Sequence, residues 1–150
     1  MKLKIELSRQ GNLILAILLI HFGFFGYICN IFEKAAGERL LYLHKILFDP
    51  DVFLAPFFLF AIVFFMVFRE KFFEYGIRNS IWLTPIIIGQ SWIWMWFIIG
   101  FDITIIGEFF THLDGYITIF SILGLNLLSG ILGAITRQKY EQYLQEIKKI

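Results

Sequence analysis

The chain has 150 residues, 59% of them hydrophobic and 19% aromatic, with a mean hydropathy of +0.75. That length suits one domain, but a soluble domain must turn its outer layer to water and has nowhere to put this much apolar surface. The formal net charge of +1 offers no basis for nucleic-acid binding, and the single cysteine, Cys29, rules out an internal disulfide.

A helix needs about 20 apolar residues to cross a hydrocarbon core of roughly 30 Å. Residues 13–32 form the first such run, broken only by His21 and Asn30. Lys2, Lys4 and Arg9 precede it as in a signal peptide, but the run is too long and no small-x-small cleavage site follows, so it reads as a retained span. Cys29 within it reads as a packing residue; a lone thiol with no His or second Cys beside it is a poor nucleophile or ligand. His21 is an intramembrane ionisable group and therefore a functional candidate. A haem would need a second axial ligand or an open distal side, and no other span offers a His. The expected role is a neutral imidazole bonded to a neighbouring helix, with Gln90, Ser91 and Asn126 as the candidate partners.

Residues 35–48 mix Leu40, Leu41, Leu43, Ile46, Leu47 and Phe48 with Glu38, Arg39, His44 and Lys45, and are expected to lie along the membrane surface as a short helix. The second span, 52–68, is Phe-rich and bounded by Asp51 and Arg69. The third, 81–101, holds Trp82, Trp92, Trp94 and Trp96; the first suits an interfacial belt, and the other three lie deep, facing lipid or a partner. Pro56 and Pro85 are expected in the first turn of their helices, where a missing N–H costs nothing. Residues 103–113 form a second interfacial segment containing Glu108 and His112. The fourth span, 116–136, carries no charge. Its Ser129-x-x-x-Gly133 and Gly130-x-x-x-Ala134 spacings, with Asn126, make a small-residue face that serves either bundle packing or a foreign helix. Strands are excluded, since unpaired edges are not tolerated in lipid. The expected fold is thus all-α: a single transmembrane domain over 1–150, four spans in a bundle, with short interfacial helices in the two outer loops.

Lys and Arg set the orientation. With both termini in the cytoplasm, ten of these residues lie inside and three outside, and the opposite orientation reverses the totals. The two halves also resemble each other. Gly37-Glu38 and Gly107-Glu108 are each followed by a His, and Arg69-Glu-Lys-Phe-Phe-Glu-Tyr75 matches Arg137-Gln-Lys-Tyr-Glu-Gln-Tyr143. Either a parallel helix–interfacial helix–helix unit occurs twice, or basic and aromatic anchors have converged where helices leave the cytoplasmic face.

The spans contain no Asp, Glu, Lys or Arg, which counts against a proton-coupled pump and against enzymes built on paired aspartates. No nucleophile triad or phosphate loop has the required spacing. Glu108 and His112 are four apart and would share a helical face, but two ligands fall below a metal's usual count. No catalytic residue, cofactor or metal is expected, and the plain reading of this pair is a hydrated carboxylate and imidazole.

Three local features resemble the immunity proteins that protect bacteria from pore-forming colicins, in the colicin A-type group. They are Ala55-Pro56-Phe57, then Arg78 with Leu83-Thr84-Pro85, then Phe101-Asp102-Ile103-Thr104-x-x-Gly107, in the family's order over roughly 50–136. The chain is shorter than that group, mainly in its first outer loop. The resemblance implies an inner-membrane protein that binds the toxin's hydrophobic helical hairpin within the bilayer and blocks channel opening. Partner-binding residues would then be Asp102, Thr104, Glu108 and His112 at the outer surface, and Asn126, Ser129, Gly130 and Gly133 in the last span. The alternatives are an accessory subunit of a membrane complex, a small transporter or channel, and a metalloenzyme using Glu108 and His112.

Overall fold

An apolar segment that cannot rely on water must close its backbone hydrogen bonds locally. Every regular element among the described residues is accordingly helical. The computed structural model describes residues 11–27, 41–50, 54–70 and 73–150, with the backbone alone at Ile99. Expectations for Cys29, Asn30 and the tail before Gly11 lie outside these residues. The elements are α1 (Gly11–Tyr27), α2 (His44–Leu47), α3 (Leu54–Arg69), α4 (Phe73–Ile99), α5 (Thr104–Thr111) and α6 (Leu113–Lys149).

α6 is the axis of the molecule. Its buried residues, Gly115, Thr118, Ile122, Asn126, Ser129, Gly130, Gly133 and Ala134, recur every three or four positions and form one stripe. α3 and α4 pack along that stripe, and α1 packs on α3 and α4. Contact is at backbone range. A Cβ on Gly133 would sit 2.7 Å from the Phe64 carbonyl oxygen of α3, and one on Gly130 would sit 2.8 Å from Ser80 Oγ of α4. Asn126 Nδ2 donates to Thr84 Oγ1 across the same seam at 3.2 Å. At the far end, Arg137 Nη1 donates to the Phe68 carbonyl at 3.3 Å, capping the last turn of α3, while Nε holds Glu141 at 2.9 Å.

Two helices, α4 and α6, are long and apolar enough to cross a membrane. The described part of α3 is 16 residues, about 24 Å at 1.5 Å per residue. Of the four expected spans, those at 81–101 and 116–136 therefore fall in helices of spanning length. Both are longer than expected. α6 runs from Leu113 to Lys149, thirteen residues past the expected end. α4 begins at Phe73, so Pro85 lies well inside the helix and not in its first turn. The cause is tertiary: Gly76 packs on Val67 and Ser80 on Gly130, which holds 73–80 helical against α3 and α6. α4 ends where Gly100 takes φ +110, a conformation that disfavours any side chain.

The matched Arg-x-Lys-aromatic segments of the two halves also part company. Arg69 closes α3, whereas Arg137 lies inside the unbroken α6.

If backbone contact sets the packing of α6, Gly133→Ala should cost about 1–3 kcal/mol by overpacking. Gly124→Ala, where an added Cβ meets nothing within 4 Å, should stay within about 0.5 kcal/mol of the parent. Denaturant unfolding in detergent micelles measures both.

Candidate functional site

The α2/α5 end of the bundle brings polar and aromatic groups of α2, α4, α5 and α6 into mutual contact. α5 is amphipathic and buries Ile105 and Phe109, one turn apart. Asp102 starts it: Oδ1 accepts from the Thr104 backbone N–H at 3.0 Å and from Thr104 Oγ1 at 2.6 Å. These bonds favour the carboxylate and lower its pKa from the ordinary value. Trp96 Nε1 donates to the Asp102 carbonyl at 2.9 Å, fixing the loop to the end of α4.

α5 stops at Thr111, and His112 is extended, with φ −95 and ψ 143. Glu108 and His112 stand one turn apart at the end of α5, where the His112 N–H closes the last helical bond on the Glu108 carbonyl at 3.1 Å and the extended ψ turns the chain away after it. Both are exposed. α6 starts at once, and Gly115 lies so close to the Phe109 carbonyl that no Cβ fits there. This glycine sets the sharp corner between α5 and α6.

α2 closes over that corner. Thr118 Oγ1 donates to the Asp114 carbonyl at 2.9 Å, which leaves its lone pairs for His44 Nδ1–H at 2.7 Å. His44 Nε2 is 3.7 Å from Asp114 Oδ1, and Lys45 Nζ is 3.6 Å from Oδ2. Tyr42 stacks on Phe109 at 6.3 Å and meets His112 edge-on at 6.4 Å, with Lys45 5.1 Å from the Tyr42 ring centre. Trp92 contacts Phe109 and Phe110 from α4. Its Nε1 is buried with no hydrogen-bond partner among the described residues.

Burial lowers the His44 pKa. The Asp114 charge opposes this and Lys45 adds to it. Burial first, then the Asp114 and Glu108 charges, raise that of Tyr42. Thr118, His44 and Asp114 have the outline of a catalytic triad but not its workings. Thr118 is 1% exposed, its hydroxyl proton is engaged by a carbonyl, and 3.7 Å is too long for the second hydrogen bond. No group of three or more His, Cys, Asp or Glu is placed to hold a metal among the described residues.

The eight residues expected to bind a partner thus divide in two. Asp102, Thr104, Glu108 and His112 lie exposed on or beside α5. Asn126, Ser129, Gly130 and Gly133 are buried against α3 and α4, so the chain's own helices cover that face. Of its two readings, bundle packing is the one the structure contains. His21 also differs from expectation. Gln90 Nε2 donates to the Ile17 carbonyl at 3.1 Å, Ser91 to its own helix, and Asn126 to Thr84; none reaches the His21 ring. That ring packs 5.4 Å from Trp94 instead, and Trp94 Nε1 donates to the His21 carbonyl at 3.2 Å. The π-helical turn at Leu19–Phe24 explains the bond. Phe25 N–H reaches back to Ile20, which relieves the His21 carbonyl of its α-helical donor. The deep tryptophans accordingly hold the chain's own elements together: Trp92 to α5, Trp94 to α1 and Trp96 to the loop.

Sequence reading missed the partners of His44. The available signal was Asp114 and Thr118, four apart on the first turns of α6. Compared with known protein families, curated proteins and solved structures, the chain matches none.

The neutral form of His44 is the one the fold favours. Its contribution to stability is complete above 6.5, the ordinary histidine value, and is lost as pH falls through the lower folded-state value. Thermal melts at about pH 7.5 and pH 5 should show the parent losing stability on acidification, with His44→Gln less stable at the higher pH and flatter between the two.

Proposed function

We propose that the chain is a four-span protein of a bacterial inner membrane, with both termini cytoplasmic. Its role is to bind the pore-forming domain of a bacteriocin in the bilayer and block channel opening. One observation carries the membrane part: large apolar side chains are exposed on every long helix. Phe22 on α1, Phe57 on α3, Phe97 on α4 and Phe120 on α6 are each at least two-thirds exposed. Water would not tolerate so continuous an apolar surface, and hydrocarbon solvates it. α1 and α3 complete the four spans in this reading, and the basic residues set the cytoplasmic side.

Recognition is supported by how the polar groups are used. Asn126, Gln90, Ser129 and Thr84 hold the helices to one another or bond to their own helix. What faces outward at the α5 end is Phe101, Ile103, Phe110 and Leu113 beside Asp102, Glu108 and His112. This is an apolar platform with a charged rim, at the side from which a toxin's hairpin arrives. The three segments that resemble the colicin A-type immunity proteins lie at the start of α3, within α4 and at the α4–α5 junction. An accessory subunit of a membrane complex would use the same surface for a permanent partner.

Reporter fusions after residues 75 and 145 should be cytoplasmic, and those near residues 40 and 110 periplasmic; a cytoplasmic signal at 110 would refute the orientation. Cells expressing the chain should keep their membrane potential when challenged with a panel of pore-forming bacteriocins, for at least one member, and should gain nothing against nuclease toxins. Exchanging 102–114 for another sequence should change which toxin is blocked while membrane insertion persists. Stable co-purification with a resident membrane complex, without protection against any pore former, would favour the accessory-subunit reading.

A further inference from the structure

A groove of about 390 Å³ runs between α1 and α3. Ala16 and Ala61, small on facing walls, leave the space, and Leu15, Leu19, Phe58 and Phe65 line it. One end alone is polar, where Asn12 and Arg69 form the mouth. Asn12 Nδ2 donates to Glu70 Oε1 at 3.1 Å, so the nearby acid is engaged. Arg69 is exposed and makes no ion pair among the described residues. Phe58 to Arg69 is eleven residues along α3, roughly 16 Å at 1.5 Å per residue, close to half of a hydrocarbon core about 30 Å thick. The groove therefore has the depth of one leaflet, an apolar body, and at headgroup level a guanidinium without an ion pair among the described residues.

We propose that this groove binds one anionic phospholipid, with an acyl chain along α1 and α3 and its phosphate on Arg69. Guanidinium pairs with phosphate oxygens through parallel N–H bonds, which an apolar partner helix cannot offer; a zwitterionic headgroup offers the same phosphate but adds an ammonium that Arg69 repels, so net charge favours the anionic lipid. Arg78 and the basic residues of α6 from Arg137 onward lie toward the same end of the bundle, the cytoplasmic leaflet if the membrane reading holds. The site rests on that reading.

The test uses the full chain purified from membranes in mild detergent. Native mass spectrometry follows retention of phosphatidylglycerol and of phosphatidylcholine with matched acyl chains. The parent should retain one phosphatidylglycerol in preference to phosphatidylcholine. Arg69→Gln should cut that preference roughly fivefold, the factor one basic residue supplies near an anionic surface. Ala61→Trp, which fills the groove, should abolish retention of both lipids, and Lys139→Gln should change nothing. Equal retention of the two lipids by the parent, or retention undiminished in Ala61→Trp, would overturn the site, leaving an ordinary lipid annulus or another occupant. Carbonate extraction separates the two levels. A chain released as soluble protein would overturn the membrane reading and the lipid site together, whereas a membrane-embedded chain without headgroup preference would overturn the site alone.

Discussion

The packing of α3, α4 and α5 depends on how closely α6 approaches them. In the hydrocarbon that the proposed function assigns to these helices, burying apolar surface against one another gains little, because the surroundings solvate that surface equally well. What remains is dispersion at short range and a few interhelical hydrogen bonds, both of which fall off steeply with distance. Gly130 and Gly133 let α6 come within contact of Ser80 and of the α3 backbone. Asn126 can reach Thr84 only because those glycines have set the spacing. Arg137 can cap the Phe68 carbonyl for the same reason.

The α5 corner depends on the same axis. Gly115 admits the Phe109 carbonyl, which turns α5 back across the end of the bundle. Phe109 then serves as the anvil for Tyr42 from one side and Trp92 from the other. His44 locks α2 onto the first turns of α6 through Thr118. The exposed aromatic and charged groups are thus carried on α5 and on the turns at either end of it, and the turn before it is tied down by the Asp102 and Trp96 hydrogen bonds.

Much of this was legible from residue order, and the failures have physical causes. The all-helical character, the two long apolar helices α4 and α6, the short amphipathic α5 and the small-residue stripe of α6 follow from hydropathy and spacing, which are local properties; of the first outer segment, residues 35–40 lie outside the described residues and only His44–Leu47 is helical. Helix ends were less readable. Nothing within Phe73–Ser80 announces a helix, since it is packing of Gly76 and Ser80 on other elements that holds it. Pro85 was misplaced as a consequence. Periodicity placed Glu108 and His112 one turn apart, but it could not show that α5 ends at Thr111 or that Gly115 turns the chain into α6. The partners of His21 and His44 depend on which faces meet across more than seventy residues of chain, information that no local window contains.

The π-helical turn in α1 has a further meaning for the register of that helix. Such a turn holds one residue more than an α-helical one, so the chain beyond it is rotated by about 100° relative to a straight continuation. Ala16, Ile20 and Phe24, each four apart, stay buried in line across it, and Phe25 joins them beyond. The turn behaves as a one-residue insertion whose effect on facing is absorbed where it occurs. Removing one residue between His21 and Phe25 would restore a plain α-helical ladder, with Phe25 bonded to Ile20 as an i+4 donor and Gly26 bonded to the His21 carbonyl. It would also swing Gly26 and Tyr27 to a new bearing, and leave the Trp94 indole without its acceptor.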